Sequence, residues 1–125
     1  LLLAEWTGRL GQELFFPPNV GGWPAGRSWL TGRAIVARAN FAVALAEGRL
    51  SPVATPPDLQ ALVRRRGQTG DPDEAVRFFG EILTGRRPDE GLLGSLWRAA
   101  APGAERERLN RAVALLLARP EAQLV

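Results

Sequence analysis

The sequence predicts an all-α fold: a single-domain bundle of about six helices with a structured Pro/Gly/Trp-rich loop. Three observations predict it. Apolar residues recur at helical spacing through nearly every segment, and no run alternates like a strand. Helix-start signals (Thr31, Asp71-Pro72, Asp89) and helix-stop glycines (Gly48, Gly85) punctuate those segments. The 125 residues, with 46% apolar and 23% charged content, suffice for one continuous core.

Each element follows in order. Leu3, Trp6, Leu10 and Leu14 share one face of a first helix that runs on to Phe15 and Phe16. The second helix begins at Thr31 as N-cap and ends at Gly48, which suits a left-handed C′ position. Its polar line is thin (Arg33, Asn40, Glu47), with Ile35, Ala39, Ala42, Ala46, Phe41 and Leu45 around the rest, so it is expected at the centre. Thr55-Pro-Pro-Asp58 reads as a capping signature opening a short third helix to about Arg65. Asp71-Pro-Asp-Glu74 opens a fourth, with Ala75, Val76, Phe79, Ile82 and Leu83 as its core stripe and Gly85 as its end. On it Asp73 and Arg77 are spaced as a surface ion pair worth about 0.3 kcal/mol.

After Pro88, Leu92, Leu93, Leu96, Trp97 and Ala100 mark a fifth helix stopped at Pro102-Gly103. A sixth runs from about Ala104 to Ala118, charged and wet in its first half and Leu/Ala-rich in its second. Pro120 closes it, and one more turn follows to Gln123. Thr-Gly-Arg recurs at Thr7, Thr31 and Thr84 with irregular spacing and marks no repeat.

Composition excludes several chemistries. All sixteen basic residues are Arg, and Lys, His, Cys, Met and Tyr are absent. Without His or Cys there is no Ser-His or Cys-His nucleophile and no ordinary zinc site, and without Lys no Schiff base. No catalytic residue, cofactor or metal is therefore expected. The Asp residues at helix starts are accounted for by capping. Glu5 and Glu13 lie near aromatic residues, but exposed helix charge explains them better than catalysis. The pI of 11.2 reflects Arg usage more than net charge, which is only +3. Arg in place of Lys, with abundant Ala, Leu and Pro, is the habit of a GC-rich genome. It is compatible with a thermophile, although the usual Lys and Glu enrichment is missing. The longest apolar run, residues 112–118, is far too short to span a membrane. The chain does not begin with Met, and we expect it to be a piece of a larger parent.

The most distinctive segment lies between the first two helices, with three prolines, three glycines and two tryptophans over residues 17–29. Two readings compete. As a binding loop, Trp23 and Trp29 are platforms for a sugar ring or a partner's side chain, with Asn19, Arg27 and Ser28 as polar neighbours. As scaffolding, Phe15, Phe16, Val20, Trp23 and Trp29 fold back over the first two helices. Buried aromatics are the commoner case, so scaffolding is the expectation. Arg38 stands on an otherwise apolar side of the second helix and is expected to clamp the 17–27 loop. Arg64-Arg65-Arg66, Arg86-Arg87 and the Arg106/Arg108/Arg111 group are of the right charge for phosphate, but acidic residues are interspersed. Solvated helix ends explain them, and nucleic acid ranks last among the partners considered.

The run Leu10-Gly-Gln…Leu14-Phe15…Pro17-Pro-Asn-Val20…Gly22-Trp-Pro24…Gly26…Trp29, followed by Ile35-Val-Ala-Arg38…Asn40-Phe41, resembles the C-terminal part of a large bacterial family. That family is catalogued as domain of unknown function 1800. Ala114-Leu-Leu-Leu-Ala-Arg-Pro-Glu-Ala-Gln123 is similar to its closing helix and final turn. The resemblance implies a longer, mainly helical parent that is exported, so that the missing N-terminal region or another protein is a natural partner and a cell-envelope glycan the alternative. It supplies no catalytic residue. Arg119 and Ala122 stand where the family tends to have Ser and Phe, which predicts looser docking of the final turn.

Overall fold

A computed structural model describes residues 2–23, 26–67 and 69–123. Among them lie six α-helices: α1 (Leu2–Arg9), α2 (Gly32–Ala46), α3 (Leu59–Arg65), α4 (Pro72–Thr84), α5 (Glu90–Ala100) and α6 (Glu105–Ala118). Two 3-10 turns, Gly26–Trp29 and Pro120–Gln123, complete the order, and no strand occurs among the described residues. The protein is an all-α bundle.

The local signals act as their chemistry requires. Thr31 Oγ1 accepts the Ala34 amide at 3.2 Å, and Asp89 Oδ1 accepts that of Leu92 at 2.8 Å. Asp71 Oδ1 accepts from Asp73 at 2.8 Å, ahead of Pro72 in the first helical turn. Each such cap is worth about 1 kcal/mol. Gly48 takes a φ of 69°, and a Cβ there would lie 2.4 Å from the Pro56 nitrogen, so both conformation and space demand glycine.

Two boundaries differ from the sequence reading. The third helix is capped by Asp58, which accepts the Ala61 amide at 2.9 Å, rather than by Thr55. Consecutive prolines explain the shift, because Pro57 drives Pro56 out of the helical region. The first helix stops at Arg9, well before Phe16. Gly11 adopts φ 98°, its amide bonds Gly8 O at 3.0 Å, and Gln12 bonds Thr7 O at 2.8 Å. This paired C-terminal closure overrides the apolar spacing of Leu10 and Leu14.

The central rod is α6, not the second helix. It packs against α2, α3, α4, α5 and the terminal turn. Leu109, Ala112, Val113 and Leu116 of α6 form one core with Leu59 and Val63 of α3, Ala75 and Val76 of α4, and Leu93, Leu96 and Ala100 of α5. α2 joins through a small cluster of its own, Ala42 and Ala46 with Ala114 and Leu117 of α6. A circumference rich in Ala reads as apolar yet removes little area from water, which is why α2 settles on the flank. The expected division of α6 holds at its ends: residues 105–107 are exposed, and Ala112 to Ala114 and Leu116 are buried.

Other details follow packing rather than pattern. Ile82 is exposed, and Gly80, where a Cβ would stand 2.4 Å from the Pro88 ring, joins Ala75 and Val76 as a buried position on α4. Arg77 does not pair with Asp73. It binds Glu90 at 2.5 Å and the Pro88 carbonyl at 3.0 Å, stitching α4 to α5, while Asp73 accepts the Trp97 indole at 2.7 Å. The buried Asn110 of α6 donates through Nδ2 to Ala46 O and Pro57 O, each at 3.1 Å. It thereby holds the end of α2 and the approach to α3 on one side chain.

Candidate functional site

The region from α1 to the start of α2 is built differently from the bundle. α1 buries none of its residues. Its anchor is Trp6, whose ring lies 5.3 Å from that of Phe41 on α2 at an interplanar angle of 59°. Arg9 stacks 5.0 Å over the same indole and pairs with Glu5 at 2.6 Å. Glu5 and Glu13 are both exposed.

Beyond Gly11 the chain turns outward. The Phe16 amide bonds Glu13 O at 3.0 Å, closing a turn in which Phe15 has φ 68°. A left-handed Phe costs on the order of 1–3 kcal/mol, because its Cβ crowds the backbone. Phe15 is 86% exposed, Phe16 70% and Val20 fully so, and Leu14 is exposed as well. The scaffolding expectation therefore fails for these side chains. The turn is tied by its own backbone hydrogen bond and holds these side chains toward solvent.

Trp23 behaves otherwise. It is half-buried and lines a cavity of about 280 Å³ with Leu10, Pro18, Ser28, Thr31 and Ala34. Asn19 shapes the loop, since its Oδ1 accepts the Gly21 amide at 2.8 Å and its carbonyl accepts that of Gly22 at 3.1 Å. Arg27 is exposed in the 3-10 turn, and Leu30 N bonds its carbonyl at 3.0 Å. Pro24, Ala25 and the Trp29 side chain fall outside the described residues. Arg38 donates from Nη1 to Gln123 Oε1 at 3.1 Å, so it ties α2 to the terminal turn. That turn packs on α6 and α4 and is further held by Gln123 Nε2 on Ala118 O at 3.3 Å.

The arginine groups diverge. Arg64 to Arg66 are exposed at the C-terminus of α3, where the helix dipole favours cations. Arg87 pairs with Glu74 at 2.5 Å. Arg106 reaches the Pro56 carbonyl, Arg108 stacks 5.4 Å over Trp97, and Arg111 reaches the Pro102 carbonyl. Among the described residues no helix is long and apolar enough to cross a membrane.

These features define a helical domain with a leucine-rich core at one end and an aromatic turn held outward at the other. Residues 1–124 match the family described as "Protein of unknown function (DUF1800)", and the chain belongs to it. No curated protein and no solved structure matches the chain.

Proposed function

We propose that this domain is a non-catalytic interaction module of a larger polypeptide, and that the aromatic turn over residues 14–20 docks against an apolar protein surface, that of the parent's own N-terminal region. The observation that carries the reading is the outward display of Phe15 and Phe16 at a turn in which Phe15 is held at positive φ. Burying each Phe or Val in a partner gains about 1.5–3 kcal/mol, enough to offset the strain of the turn. Interface cores favour aromatic side chains for the same reason.

The test is site-specific cross-linking in the full-length parent, with a benzophenone amino acid in place of Phe16. An intramolecular adduct with an apolar segment outside residues 1–125 supports docking. Recovery of un-cross-linked protein, with Phe16 as solvent-accessible as here, overturns it.

A second reading rests on the cavity beside Trp23, whose indole and the Ser28 and Thr31 side chains suit a small sugar ring. Titration with soluble glycans checks it: a saturable change in tryptophan emission, lost in Trp23→Leu, is the outcome that would favour a glycan over a protein partner.

A further inference from the structure

A separate cleft of about 810 Å³ opens between the end of α2, the 47–58 connector and the first turns of α6. That volume is in the range of small-molecule sites. None of its lining residues belongs to the aromatic turn. Its walls combine the apolar Ala46, Pro56 and Pro102 with two guanidinium groups five residues apart on α6, Arg106 and Arg111. The buried Asn110 lies in the same wall, its amide nitrogen committed to Ala46 and Pro57.

Arg106 is weakly engaged, while Arg111 is held by backbone carbonyls with donors to spare. Arg106 touches the Pro56 carbonyl at 3.4 Å and its nearest carboxylate, Asp58, at 4.0 Å. Arg111 donates to the carbonyls of Pro102 and Glu107, and Glu107 Oε2 stands 3.9 Å away. A guanidinium has five N–H donors, so most of these are unspent on protein groups. The neighbouring carboxylates are occupied elsewhere: Asp58 caps α3, and Glu47 pairs with Arg49. Glu107 alone competes directly for Arg111.

We infer that this cleft binds a small carboxylate with an apolar body, its carboxyl group shared by Arg106 and Arg111 and its body lying along Pro56, Pro102 and Ala46. The planar carboxylate suits the guanidinium fork. Asp58 and Glu107 add negative charge beside the two arginines, so a carboxylate monoanion is repelled less than a phosphate dianion.

The Asn110 side-chain amide is a built-in reporter for NMR titration with hexanoate, hexanamide and inorganic phosphate. Hexanoate is expected to give a saturable shift, with a Kd of roughly 1 mM for so small a ligand. Arg106→Gln, at an exposed position that leaves the fold intact, weakens it about tenfold, and Glu107→Gln tightens it by freeing Arg111. No saturation by about 20 mM, an equal response to hexanamide or phosphate, or unchanged affinity in Arg106→Gln overturns the assignment.

Discussion

The two ends of this chain contain similar residues and treat them in opposite ways. In the bundle, Leu and Val from α3 to α6 converge on one core, and Leu109 and Val63 are wholly removed from water. In the N-terminal segment, Leu2, Leu3, Leu14, Phe15, Phe16 and Val20 are all exposed, and α1 keeps to the bundle through Trp6 on Phe41. Composition alone does not separate the two. The difference lies in whether a second apolar face is available at the right spacing. An eight-residue helix is too short to persist in water on its own, so α1 depends on that aromatic contact.

Truncating side chains in the bundle and in the aromatic turn should have the most unequal effects. Leu109→Ala empties fully buried volume and is expected to cost about 3–4 kcal/mol in denaturant unfolding. Phe15→Ser with Phe16→Ser is expected to change the same midpoint by less than about 0.5 kcal/mol. Equal losses would mean that the aromatic turn is part of the core after all.

The junction between the regions offers an intermediate effect. Asn110→Ala removes the donor shared by the Ala46 and Pro57 carbonyls and should cost about 1–3 kcal/mol. Hydrogen exchange should quicken at the end of α2 and along the connector while the α4 and α5 amides stay protected. Uniform loss of protection would show instead that α2 and the bundle unfold as one unit.

The smallest effect lies at the terminal turn. Its own backbone amide, and then Arg119 at 2.8 Å, hold the Glu121 carboxyl below the usual carboxylate range. A depressed folded-state pKa stabilises above the unfolded value and is lost as pH falls through the folded one. The group is fully exposed, so solvent screens the effect and the change in stability is slight. In an NMR titration Glu121 should protonate at lower pH than a free glutamate, and Arg119→Ala should move it part of the way back.

Helix boundaries were the most legible part of the fold. Thr31, Asp71-Pro72 and Asp89 announced their helices, and Gly48 and Gly85 ended theirs, because capping involves residues only a few positions apart. The hydrophobic rank of the helices misled. α2 looked central because it is apolar nearly all round, yet its Ala-rich face covers little area, and the charged first half of α6 hid the hub in its second half. Asn110 gave no signal at all: a single Asn within a charged run is ordinary until the Ala46 and Pro57 carbonyls are brought beside it. The candidate loop was legible as a Pro/Gly-rich, aromatic segment. The outward direction of Phe15 and Phe16 was not, because it is set by a turn with Phe15 at positive φ, which helical spacing does not reveal.

By itself the sequence determined the all-α class, most of the helix starts and stops, and the absence of histidine, cysteine and lysine chemistry. Each of these depends on residue identity or on neighbours within one helical turn. Only the tertiary structure decided that α6 is the hub, that Arg38 reaches Gln123, and which aromatic side chains meet water. Those outcomes follow from surfaces far apart in the chain competing for the same buried area, and burial is a property of the pair rather than of either residue.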